Sequence, residues 1–171
     1  MLYLFFRILS WAIPLITAYL ILFHFEDMIH WGIWSSIISP QDINNAIHFS
    51  LSHRFVILAI QFMPISITIL ICHKLAKLFR LYEQGDLFEE ENIKLIKSIS
   101  IYMILGELFQ LLYQPLISAA LSFNNPIGER VANISFGTTN ITTLITACII
   151  LVASWVVEEA NRLKSDSHLT I

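Results

Sequence analysis

Residues 55–72 read FVILAIQFMPISITILIC, without one Asp, Glu, Lys or Arg. A hydrocarbon core about 30 Å thick needs roughly 20 such residues in helical form, and a helix apolar on every side for that length belongs in lipid. Working outward, three more runs have the same character, at 8–25, 98–123 and 138–157. They lack the strict alternation of barrel strands, and only helices or closed barrels satisfy their backbone inside a membrane. The expectation is an all-α polytopic membrane protein with four transmembrane helices at about those bounds. Residues 1–171 form one four-helix domain in this reading, with an inner hairpin at about 74–97.

Composition agrees. A 56% hydrophobic content beside 13% charged residues is far from the balance of a soluble domain. The net charge of −3 is small and mixed along the chain, so no polyanion partner is implied. Cys72 and Cys148 lie at the end and middle of apolar runs, where they read as small core residues rather than a disulfide. Arg7 before the first run resembles the start of a signal peptide. That run continues to Phe25 and meets Glu26 and Asp27 with no small-residue cleavage pattern, so an uncleaved helix is expected.

The basic residues set the expected orientation. Arg7, Lys74, Lys77, Arg80, Lys94, Lys97, Arg162 and Lys164 lie on one side of the runs, and only Arg54 and Arg130 on the other. The positive-inside rule then puts both termini in the cytoplasm. A soluble bundle of unusually apolar helices does not explain that asymmetry.

Outside the runs, the inner hairpin is the most patterned stretch. Leu75, Leu78, Phe79 and Tyr82 fall on one helical face with Lys74, Lys77 and Arg80 interleaved, and Gly85 is placed to end that helix. Asp86 to Glu89 matches a capping signature, and Glu89, Glu90 and Glu91 suit a helix N-terminus. Phe79, Tyr82, Phe88 and Leu163 are too apolar for water and are expected to pack together. Lys77, Arg80, Glu90 and Glu91 remain as an outward polar rim, the candidate partner-binding residues. A solvated connector steadied by its own ion pairs is the plainer reading of the same charges.

The outer loop from Glu26 to Arg54 carries Trp31, Ile33, Trp34, Ile37 and Ile38 near helical spacing, which reads as an interfacial segment with tryptophan anchors. Ser39 and Pro40 look like a helix start. His24, Asp27 and His30 at three-residue steps, with His48 and His53 later in the loop, could coordinate zinc if the loop folded back; no tight ligand motif is present, so the histidines read as solvated and no metal is expected. Pro14, Pro64 and Pro115 fall inside spans, where proline favours kinks.

Glu107 is the outlier within the membrane. Glu107, Gln110 and Gln114 share one helical face at steps of three and four; Thr139, Thr142, Thr143 and Thr146 offer a complementary row, with Asn140 nearby. Gln61 adds a further polar group on the second span. The candidate intramembrane polar site is therefore Glu107, Gln110, Gln114 and Thr143. Helix adhesion by a neutral, hydrogen-bonded Glu107 is the first reading; a proton or ligand site is the second.

Catalytic motifs are lacking: no H-E-x-x-H, G-x-S-x-G, Gly-rich phosphate loop or C-x-x-C occurs. Glu158-Glu159-Ala160-Asn161-Arg162 is near the paired-glutamate signature of intramembrane prenyl-protein-type proteases. Its arginine is one residue too close, and the histidine motifs that should follow are missing. No enzyme activity and no cofactor are expected.

Two stretches carry a family resemblance. The end of the chain, Glu159-Ala160-Asn161-Arg162-Leu163-Lys164-Ser165-Asp166-Ser167-His168-Leu169-Thr170-Ile171, resembles the terminal signature of the YoaS-like family of small bacterial four-span membrane proteins. The hairpin stretch Gly85-Asp86-Leu87-Phe88-Glu89-Glu90-Glu91-Asn92-Ile93-Lys94-Leu95 resembles the same family's pattern. That family is a domain of unknown function whose members are often encoded beside a small Cro-like helix-turn-helix protein. The resemblance implies a bacterial inner-membrane regulatory or accessory module that binds a cytoplasmic partner, with a helix-turn-helix regulator as the candidate and no direct nucleic-acid binding. The alternative is a small transporter or proton-coupled permease component using Glu107.

Overall fold

The computed structural model describes residues 1–43, 49–85, 90–135 and 137–168, with the backbone alone at 40, 138, 139 and 163–168. It is all-helical, without a strand among the described residues. The elements are α1 (Leu2–Phe23), α2 (Phe25–His30), a 3-10 turn at Pro40–Asp42, α3 (Leu51–Gln84), α4 (Glu90–Leu121) and α5 (Thr138–His168). Four of them, α1, α3, α4 and α5, are long and apolar enough to cross a membrane.

Helix ends follow local chemistry. The first apolar run reaches Phe25, but α1 stops at Phe23, because His24 leaves the helical region at φ −124° and ψ 34°. The chain restarts as α2 with Glu26 and Asp27 in its first turn, where acids complement the helix dipole. Gly32, at φ +67°, closes α2: its N–H reaches Ile29 O at 2.9 Å and that of Ile33 reaches Met28 O at 3.3 Å. This pair of bonds is a Schellman motif, and it reverses the chain so that Trp34 folds inward. Gly85, at φ +95°, ends α3 as expected. Pro14, Pro64 and Pro115 lie inside helices that run on through them.

The chain packs as two compact units. The first comprises Met1–Ser10, Ile67–Glu107 and Thr138–Ile171. Its core is small: Leu78, Leu95 and Ile99 are buried, with Leu75, Tyr82 and Met103 against them. The second comprises Trp11–Ser66 and Leu108–Gly137. Its core is larger and includes Ile21, Phe25, Trp34, Phe49, Tyr113 and Ile117. Outside these cores, apolar side chains lie open, among them Trp11 at 71% and Trp155 at 65% exposure. Such a surface would aggregate in water and is what a lipid-facing helix presents.

Candidate functional site

In the first unit, the end of α3 and the start of α4 bring together much of the charged rim. Lys77 Nζ lies 2.6 Å from Glu91 Oε1, across the hairpin. Lys94 Nζ reaches Glu90 Oε2 at 3.1 Å along α4, and Lys97 reaches Glu158 of α5 at 3.1 Å. The Lys77 ammonium beside Glu91 holds that carboxyl below its usual range, with Lys94 adding to the effect. These pairs are exposed, so each contributes little to stability, and their charges stay accessible.

Arg80 takes a different partner: its guanidinium lies over the Tyr3 ring, 6.0 Å from the centroid. The expected aromatic cluster is seen in part. Phe79 meets Tyr82 edge-on at 6.2 Å, and it stacks on Phe6 at 5.4 Å. The N-terminal turn of α1 thus helps cover the hairpin, and the Met1 amino group donates to Glu83. Phe88 and residues 169–171 fall outside the described residues, and Leu163 is described by its backbone alone.

The intramembrane set divides. Asn140 Nδ2 donates to Glu107 Oε2 at 2.7 Å, joining α4 to α5 within the first unit, where Thr143 is half-buried. Gln110 and Gln114 belong to the second unit. There Gln114 is buried, and its Oε1 accepts the backbone N–H of Ser135 at 2.6 Å. It is one of three. Ser122 Oγ accepts from Val131 N and Ser118 Oγ from Asn133 N, each at 2.9 Å. Acceptors four residues apart, two on α4 and Ser122 in the turn that continues it, therefore serve every second N–H of residues 131–135. The spacing matches, because four helical residues rise ~6 Å and two extended ones span roughly 6.7 Å. The same loop is tied to the α2–α3 loop: Asn125 Nδ2 donates to Asp42 O at 2.6 Å, Asn133 Nδ2 to Ile37 O at 3.0 Å and Ser135 Oγ to Ser36 O at 3.0 Å.

Trp34, expected as an interfacial anchor, is 3% exposed, whereas Trp31 is 65% exposed. Its Nε1 donates to Tyr113 Oη at 3.2 Å, and Tyr113 donates to Gln61 Oε1 at 2.6 Å. This relay satisfies three polar groups inside an apolar core. Two of the candidate histidines are engaged, each separately: His24 Nδ1 with Asp27 Oδ2 at 2.9 Å, and His53 Nε2 with Ala120 O at 2.7 Å. His48 falls outside the described residues. Arg54 closes the region, donating to Leu22 O at 2.9 Å and Phe49 O at 3.2 Å with Glu26 Oε1 at 3.5 Å.

A four-span helical chain with a charged hairpin and polar loop clasps is thus the class of protein defined here. Residues 34–171 match the family described as "Protein of unknown function (DUF2975)", and the chain belongs to that family. No curated protein and no solved structure matches it.

Proposed function

We propose that this chain is a non-enzymatic regulatory or accessory protein of the bacterial cytoplasmic membrane, with both termini inside, and that it holds a cytoplasmic partner on the α3–α4 hairpin. The observation that carries the reading is excess helix length. At ~1.5 Å per residue, the 34 residues of α3 and the 32 of α4 reach about 50 Å each, against a hydrocarbon core of about 30 Å. A connection that only turned the chain would need a few residues. Here the excess carries its own core of Leu78, Leu95 and Ile99 under a rim of Lys77, Arg80, Glu90 and Glu91. Eight of the ten Lys and Arg residues lie in this unit, which supports a cytoplasmic setting.

The YoaS-like tail and hairpin patterns support that subgroup within the DUF2975 family. They also support a small helix-turn-helix protein as the partner. The test is a crosslinking pull-down from native membranes, comparing the parent with a Glu90→Lys/Glu91→Lys variant. Both carboxylates are exposed, so insertion and helicity should be retained while partner recovery is lost. Identical recovery from both would reduce the hairpin to a connector.

A second reading, a small transporter or proton-coupled permease component, rests on the Asn140–Glu107 contact at mid-helix. Under the first reading, Glu107→Gln keeps both stability and solute flux unchanged. Loss of flux with stability intact favours the transporter.

A further inference from the structure

Seven basic residues of the first unit have described side chains; Lys74 has neither a carboxylate nor a ring partner among the described residues, and the other six fall into two kinds. Lys77, Lys94, Lys97 and Arg162 are each held by a glutamate. Arg7 and Arg80 have no carboxylate partner among the described residues and converge on one aromatic ring instead. The guanidinium carbon of Arg7 is 5.9 Å from the Tyr3 centroid, and that of Arg80 is 6.0 Å from it. Arg7 Nη1 also donates to Tyr3 Oη at 2.7 Å, which leaves the phenol proton free to donate elsewhere.

Two guanidinium groups that each lie about 6 Å from one ring centroid raise the positive potential around it, so an anion drawn to both would stabilise the arrangement. Planar guanidinium forks with a hydroxyl donor match the oxygens of a phosphate. The surroundings decide which phosphate. Leu4 and Phe5 are 57% exposed and Ile8 is 65% exposed on the same stretch of α1, apolar side chains that lipid covers. A phosphate bordered by them is one tethered to the bilayer.

We propose that Arg7 and Arg80, gathered on Tyr3, bind the phosphodiester of an anionic phospholipid in the leaflet bordering this unit. The site needs only the membrane setting; of the residues in the proposed partner rim it uses Arg80 alone.

Native mass spectrometry of the full chain, titrated with phosphatidylglycerol or phosphatidylcholine, tests it. A cation near an anionic lipid surface gives roughly a fivefold gain, so the parent should prefer phosphatidylglycerol by about 25-fold. Arg7→Gln/Arg80→Gln should abolish the preference, and Lys94→Gln, whose cation is already held by Glu90, should keep it. Tyr3→Phe retains the ring and both charges and should weaken phosphatidylglycerol binding a few-fold while keeping the preference, which guards against a misfolded arginine variant. No preference in the parent, or an undiminished one in the double arginine variant, overturns the proposal. Equal displacement of the lipid by millimolar inorganic phosphate would assign the site to a soluble anion and overturn it too.

Discussion

Ser118→Ala isolates one rung of the clasp between α4 and the outer loop. Ser118 is fully buried; its Oγ accepts the Asn133 N–H at 2.9 Å and donates to Gln114 O at 2.8 Å. Removing the hydroxyl takes little volume, and the Gln114 carbonyl keeps its position in the helix ladder. The Asn133 N–H, by contrast, is left without an acceptor, which costs about 1–3 kcal/mol. Ser100→Ala is the matched control, since Ser100 is equally buried and among the described residues its hydroxyl serves only the Ile96 carbonyl of its own helix. Denaturant unfolding in a fixed detergent should show the Ser118 variant weaker than the Ser100 variant by at least ~1 kcal/mol. Hydrogen exchange should show the Asn133 amide losing protection while the α4 amides keep theirs. Equal stabilities, with Asn133 still protected, would refute the claim that α4 side chains hold this loop.

Three further outcomes are expected. Cytoplasmic reporters fused at the C-terminus should be active and alkaline phosphatase inactive there; the reverse would reject the orientation proposed from the basic residues. Arg54→Ala removes the charged donor to Leu22 O and Phe49 O and should cost roughly 2–4 kcal/mol by thermal unfolding, with Arg54→Lys intermediate, because hydrogen bonds from a charged group are worth about 1.5–3 kcal/mol each and these share one side chain. Trp34→Phe keeps most of the buried ring but leaves the Tyr113 hydroxyl without its donor, for an expected loss of about 1 kcal/mol; a neutral result would mean the relay is replaceable.

The crossing helices were legible because lipid demands only length and apolarity, and both are plain at 55–72. Gly85 was legible too, since a left-handed residue after an amphipathic face has few alternatives. The intramembrane site was not. Glu107, Gln110 and Gln114 share a helical face, which says where each points along the helix but not which neighbour waits there. Asn140 meets Glu107, while Gln114 meets the Ser135 backbone. No periodicity announces a backbone partner in an irregular loop. A spacing signal did exist: Gln114, Ser118 and Ser122 form a polar row at intervals of four on a helix otherwise bound for lipid. Trp34 was misplaced for another reason. The turn at Gly32 carries it away from Trp31, although the two are close in sequence.

The clasp on α4 also imposes a phase on residues 131–135. N–H groups at 131, 133 and 135 point to acceptors on one side, and in an extended chain those at 132 and 134 point to the other. Adding one residue inside this segment still leaves a backbone N–H for each acceptor, but on one side of the insertion it puts the Asn133 or Ser135 side chain out of step with Ile37 O or Ser36 O, whereas adding two restores the alternation. Length change here is therefore felt through the side chains and not through the backbone donors. The Pro126–Glu129 turn, exposed at all four positions, carries no such phase and is the natural place for a tag or an insertion.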